Sequence, residues 1–187
     1  MQNENEESKK RKKMTNDLGV LVVHLQFEYL YHVSRRFELG YNIVQNLVEY
    51  AAQHSLPVIF SVFQTKKIPE LITKISKNLP KESYKLSFGG KFNSFQGDDL
   101  LVREFIAKGV KRIILSGFNK YCCVYRTAQG ALDNGFNFCT SNDVLFSWDS
   151  REERDSSLEN LRNFYKKKET LYTTCKDLLA CELGACS

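Results

Sequence analysis

From Leu18 onward the chain alternates between two apolar patterns. "LGVLVVHL" is an unbroken aliphatic and β-branched run, which suits a strand buried on both faces. Between Phe37 and His54, Leu39, Ile43, Leu47, Val48 and Ala51 recur at helical spacing, and "SLPVIFSVF" is a second continuous run. The pattern predicts β-α-β. The stretch from Lys66 to Gly90 is less regular, with "IPELITKISKNLP" reading as a short helix and "SYKLSFGG" as a short strand stopped by Gly89 and Gly90. Asp98 and Asp99 suit the start of a helix that runs to Ala107 and ends at Gly109. "VKRIILSG" then reads as a strand, Tyr121 to Asn134 as a helix stopped by Gly135, and "FNFCTS" as a strand. A helix over roughly 152–165, a short strand at "ETLYT" and a helix from Thr174 to Leu183 complete the alternation.

Strands that alternate with helices predict parallel strands joined by right-handed crossovers. The expected fold class is α/β: an open, mostly parallel, Rossmann-like sheet of about six strands with helices on both faces. Ligands of such sheets bind beyond the carboxyl ends of the strands, where strand order reverses. This rule gathers His24, the loop around Lys91 and the Gly117–Cys123 turn at one edge. No GxGxxG or Walker loop is present, so a phosphate-cradling nucleotide site lacks its usual support.

A chain of 187 residues suffices for one domain, assigned to 17–187, preceded by a basic tail over 1–16 that is expected to be disordered. The tail sets three Glu against Lys9, Lys10, Arg11, Lys12 and Lys13, so much of the net charge of +5 is local to it. "KKRKK" reads first as a solvated tail, and its alternatives are a nuclear address or a nucleic-acid contact. No apolar run approaches the roughly 18 residues of a membrane span, so no membrane partner is expected. Six cysteines without a disulfide-framework spacing predict reduced thiols and a cytoplasmic or other reducing intracellular compartment. The cysteines at 175, 181 and 186 have neither a histidine nor a CxxC pair among them, so structural zinc is not expected. His32 and His54 read as loop and helix-end residues, and Trp148 as a wall or core residue.

The candidate chemistry lies in "GFNKYCCVYRTAQGALDNGF". Cys123 falls where a strand ends and a helix begins, and free N–H groups with the helix dipole favour a thiolate there. A small apolar residue filling the core is the competing reading of the same position. Adjacent helical residues point about 100° apart, so only one of Cys122 and Cys123 can face the sheet mouth.

This segment resembles the isochorismatase-like cysteine hydrolases, whose pattern here is Gly-x-x-Thr-x-x-Cys-Val-x-x-Thr-Ala. Gly117, Cys123, Val124, Thr127, Ala128, Ala131 and Gly135 fit it. "KFNSFQGDDL" is similar to the family's lysine segment, and "GVLVVHLQFEY" to its first strand, with Gln26 in place. The likeness spans roughly Leu18 to Leu183. It implies Cys123 as nucleophile, Lys91 as catalytic lysine, and a turn of Asn119, Lys120 and Cys123 whose backbone N–H groups hold an oxyanion. One departure stands out: the family's aspartate is His24 here, and the family's threonine in the turn is Lys120.

The exchange removes a negative charge beside Lys91, so Lys91 favours a neutral His24. A neutral imidazole can serve as the base for a thiol, and the same residue can equally be a hydrogen-bonded core histidine. Two functions follow. The first is a hydrolase of an amide or related C–N bond in a small molecule, acting through an acyl-enzyme. The second is an isochorismatase-fold protein of impaired activity that serves as a binding or assembly module. No cofactor and no catalytic metal are expected, since the segment between Phe60 and Lys91 lacks histidine and aspartate. The resemblance implies a homo-oligomer, and nucleic acid enters only through the basic tail.

Overall fold

The computed structural model describes residues 17–26, 36–63, 67–88, 91–96, 99–147, 159–167 and 170–182. The basic tail, His32, Asp98, Trp148 and the first part of the helix expected over 152–165 lie outside the described residues. Seven strands are described: β1 (Leu18–Val23), β2 (Val58–Ser61), β3 (Tyr84–Ser87), β4 (Arg112–Phe118), β5 (Asn137–Ser141), β6 (Leu145–Phe146) and β7 (Leu171–Tyr172). Six α-helices accompany them: α1 (Arg36–Gln53), α2 (Glu70–Ser76), α3 (Leu100–Ala107), α4 (Tyr125–Asp133), α5 (Glu159–Lys167) and α6 (Cys175–Glu182).

The strands form one sheet in the order β3-β2-β1-β4-β5-β7, with β6 paired to β4 off that path. Every ladder is parallel. The extra strand beyond the expected six is β6, whose two residues are too few to leave an alternation in the sequence. Asp99 stands at the start of α3 as expected, yet its side chain makes no capping hydrogen bond.

Both faces of β1 are buried, which is why it reads as a continuous apolar run. Val20 and Val22 belong to a core shared with Val44, Leu47 and Val48 of α1, Leu71 and Ile75 of α2, and Leu178 of α6. Leu21 and Val23 belong to the opposite core, with Leu101 and Phe105 of α3, Ala128 and Ala131 of α4, and Tyr165 of α5. The helices therefore sort three to each face. Strand order departs from β1 in two directions, through β2 to β3 and through β4 to β5. By the switch-point rule, this reversal marks the carboxyl ends of β1 and β4 as the place where such a sheet takes a ligand.

The opposite edge of the sheet is closed by charge. Arg112 Nη1 donates to both carboxylate oxygens of Glu182, at 2.8 and 2.6 Å, and the Tyr172 hydroxyl donates to Oε1 at 2.8 Å. This network fastens α6 to β4 and β7.

Candidate active site

His24 is the first residue after β1, and its φ of 49° places it in the left-handed region. Asn, Asp and His are the side chains enriched there, so the backbone accepts imidazole where few larger groups fit. The His24 N–H donates to Ser61 O at 2.9 Å, and Gln26 continues the tie between β1 and β2. Its Nε2 donates to Phe63 O at 3.1 Å while its Oε1 accepts the Phe63 N–H at 2.6 Å. A buried amide thus completes a ladder where the strands have ended. The His24 ring lies 4.8 Å from the Phe63 ring, which lies 5.4 Å from the Phe92 ring.

Only 1 % of His24 is exposed, and neither ring nitrogen has a hydrogen-bond partner among the described residues. Burial pushes its pKa down to about 4. The imidazole is neutral at physiological pH.

Next to β1, β4 pairs with it in a register that sets Gly117 beside Val23. A Cβ on Gly117 would lie 2.0 Å from Val23 O, and φ there is +119°, so glycine alone lets β4 close against the residue preceding His24. The Phe118–Asn119 peptide is cis. Asn119 then organises the turn: its Oδ1 accepts the Tyr121 N–H at 3.0 Å, and its carbonyl accepts those of Cys122 at 3.1 Å and Val124 at 3.0 Å. The five-residue span from Val124 back to Asn119 is π-helical, and Lys120–Val124 forms that π turn before α4 begins. The single helix expected from Tyr121 comes in two pieces, with Cys123 on the first.

Cys123 is buried, and burial pushes its thiol up to about 11. A backbone hydrogen bond from Asn119 and the charge of Arg126 pull the other way, while the adjacent Cys122 thiol adds to the rise. Burial wins over the helix-start effect that position alone suggests.

Lys91 is exposed and makes no ion pair among the described residues. Its segment is nonetheless fixed. The Ser94 N–H donates to Thr127 Oγ1 at 3.1 Å, and the Thr127 hydroxyl donates to Ser94 Oγ at 3.2 Å, both buried. Asn93 packs on Gly130, where a Cβ would come within 2.3 Å of its Oδ1. The segment carrying Lys91 is therefore fastened to the helix that follows Cys123, and Phe92 carries the contact on to Phe63 and His24.

The Lys120 ammonium lies 3.4 Å from Asn142 Oδ1 and 5.2 Å from the centre of the Tyr121 ring. Its carbonyl accepts the hydroxyl of the buried Tyr165 at 2.9 Å. Tyr165 is a residue the sequence reading missed as a brace of the turn, since the helical pattern marks it only as inward-facing. Among the described residues no group of three or more His, Cys, Asp or Glu is placed to hold a metal ion.

No curated protein matches this chain by sequence. Solved structures do share its fold. The YcaC gene product of Escherichia coli, an octameric hydrolase of unknown specificity, superposes with a TM-score of 0.69 at 21% identity, covering 91% of this chain and 81% of that one. The MAR1 ribonuclease of Caenorhabditis elegans gives 0.70 at 19% identity, over 91% and 81%. The nicotinamidase of Staphylococcus aureus gives 0.68 at 12% identity, over 81% and 96%. The family model described as Isochorismatase domain matches residues 19–167, which include β1, the Lys91 segment and the Cys123 turn. With that match covering most of its length, the chain belongs to the isochorismatase family.

Proposed function

We propose that the chain is a cysteine hydrolase that cleaves the C–N bond of a small amide, with Cys123 as nucleophile and His24 and Lys91 as its partners. The observation that carries this reading is the placement of a buried, unpartnered imidazole and a π-turn cysteine on the two sides of the β1/β4 switch point. The Cys123 sulfur attacks the carbonyl carbon, and its proton passes to a ring nitrogen of His24. The C–N bond then breaks, and the amine leaves with the proton that His24 carried. Water, deprotonated by the same imidazole, hydrolyses the thioester to a carboxylic acid and restores the thiol.

Three of the N–H groups of the turn are taken by Asn119, so those of Lys120 and Cys123 are the proposed oxyanion donors. The thiol is pushed up and the imidazole down, which keeps both neutral at rest. Proton transfer therefore accompanies attack rather than preceding it. The amide class draws support from the nicotinamidase likeness, and assembly of several copies from the octameric E. coli structure.

Ammonia release from nicotinamide and from a panel of primary amides tests the reading, with a structured RNA as a further arm. The expected result is release that disappears in Cys123→Ala, with an acyl mass adduct on Cys123 in the wild type. Release unchanged in Cys123→Ala overturns the mechanism. Binding of an amide without any release favours the binding-module function, and RNA cleavage that survives Cys123→Ala assigns the site to other chemistry.

A further inference from the structure

Helix α4 buries Thr127, Ala128 and Ala131, and its other face borders a cavity of about 360 Å³ that the proposed hydrolysis does not use. Cys123, His24 and Lys91 are not among the residues that line it. From α4 come the exposed Arg126, Gln129 and Asp133, and facing them are Asn93 of the Lys91 segment and Phe164 of α5. Gly130 lacks a side chain where Asn93 packs, so Asn93 lines the cavity while only 8% exposed. Its Oδ1 accepts the Phe95 N–H at 3.0 Å, and no described residue accepts from its Nδ2. Gln129 Nε2 donates to the Tyr125 hydroxyl at 3.0 Å, which leaves its carbonyl oxygen as an acceptor.

The order of these groups carries information. Arg126, Gln129 and Asp133 stand at i, i+3 and i+7, one above the other on a single face. At a rise of 1.5 Å per residue, the two charged positions lie about 10 Å apart along the axis. Between them come the carboxamides of Gln129 and, against Gly130, of Asn93. Neither Arg126 nor Asp133 forms an ion pair among the described residues. Asp133 is also the last residue of α4, where the helix dipole disfavours a carboxylate. A residue that breaks a local preference without a visible partner marks a place where function overrides it.

We propose that this cavity binds a short free peptide of two or three residues, with its terminal carboxylate on Arg126, its amino terminus on Asp133 and its peptide groups on Gln129 and Asn93. Three extended residues span about 10 Å, which matches the spacing of the two charges. The guanidinium fork suits a carboxylate, and the ligand's ammonium offsets a charge that α4 alone disfavours. Leu132 and Phe164 supply apolar wall for a side chain. The site is separate from the candidate active site and does not depend on the hydrolase reading. It does adjoin it electrostatically: burial dominates the rise of the Cys123 thiol, and the Arg126 charge is among the influences that oppose that rise. A carboxylate on Arg126 would cancel that influence.

Isothermal titration calorimetry of the full chain at low ionic strength, with trialanine, N-acetyl-trialanine and trialanine amide, tests the proposal. Trialanine should bind, and each blocked form should bind about fivefold more weakly, the upper end of what an exposed ion pair provides. Asp133→Asn should remove the discrimination against the acetylated peptide and keep that against the amide, and Arg126→Gln should do the reverse. Both substitutions are on exposed positions, and thermal unfolding checks that the variants remain folded. Absence of binding at millimolar trialanine, equal binding of all three peptides, or discrimination that survives in both variants overturns the proposal. Adenosine monophosphate binding that trialanine does not displace, and that Phe164→Ala abolishes, assigns the cavity to a nucleotide instead. A second readout is alkylation by iodoacetamide at one alkaline pH, resolved by site. Saturating trialanine should slow Cys123 and leave the exposed Cys181 unchanged. A Cys123 rate unaffected by bound peptide overturns the placement of the carboxylate on Arg126.

Discussion

His24 is buried neutral at a place where water would let it take a proton near its ordinary value. Folded, it protonates only near pH 4, against 6.5 for the unpaired group. Between those values the unfolded chain holds more protons, so stability is fully present above pH 6.5 and falls as the pH drops toward 4. The shift corresponds to about 3 kcal/mol. Urea midpoints across this window should therefore decline in the wild type and decline less in His24→Asn, which keeps a residue tolerant of positive φ; parallel slopes would rule out His24 as the titrating group. Two glycines show how backbone and space combine at single positions. Gly109 has φ +71° with nothing within 4 Å of an added Cβ, so Gly109→Ala meets only the left-handed penalty of about 1–2 kcal/mol. Gly117→Ala adds a collision with Val23 O, so its loss should exceed about 4 kcal/mol and separate β4 from β1 beside the site. Thermal unfolding of the two variants side by side checks the order.

At the scale of elements, the π turn Lys120–Val124 is held from within by Asn119 and from outside by α5, through the Tyr165 hydroxyl on Lys120 O. Tyr165→Phe keeps the ring in the core and removes one hydrogen bond, so it should cost about 1 kcal/mol of stability. Its larger effect should fall on kcat of the proposed hydrolysis, because a turn displaced by about an ångström can cost roughly 100-fold in rate. A loss of stability with kcat unchanged would confine Tyr165 to the core. The positions of strands and helices were legible because buried parallel strands leave unbroken apolar runs and α1 leaves a clear helical period. The π turn was not, since one extra residue in a single turn does not disturb the apolar spacing of Cys123, Val124, Ala128 and Ala131. The placement of the candidate site residues was half legible. Motif order and the switch-point rule set His24 and the Cys123 turn on adjacent strand ends, as the structure has them. That the Lys91 segment is fastened by Ser94 to Thr127, 33 residues away, follows from tertiary geometry that no local pattern carries. Burial likewise decides the direction of the Cys123 shift, and burial at a strand-to-helix corner depends on what α3, α4 and α5 pack above it.

For the whole molecule, the uncovered apolar side chains are unevenly placed. Leu39 on α1 and Ile106 on α3 are 67% and 62% exposed, but these helices cover opposite faces of the sheet. Ile68, Phe88 and Phe92, at 52%, 41% and 53%, all follow the neighbouring strands β2 and β3. Since β3 is also the last strand on its side of the sheet among the described residues, this corner combines exposed aromatic surface with a strand edge that no described strand pairs. A stable interface needs about 800 Å² from each partner, more than isolated side chains provide, so a shared corner is the better candidate than either helix face. Self-association through this corner would also cover the surface beside Lys91 and make access to the proposed site depend on assembly. Light scattering of the full chain at micromolar concentration should then give a multiple of 21.6 kDa. Phe88→Asp, which leaves the Phe92–Phe63–His24 contacts in place, should lower that mass, whereas Ile106→Asp should leave it unchanged. A wild-type mass of 21.6 kDa at that concentration would set the oligomer aside, and dissociation by Ile106→Asp alone would move the interface to the α3 face.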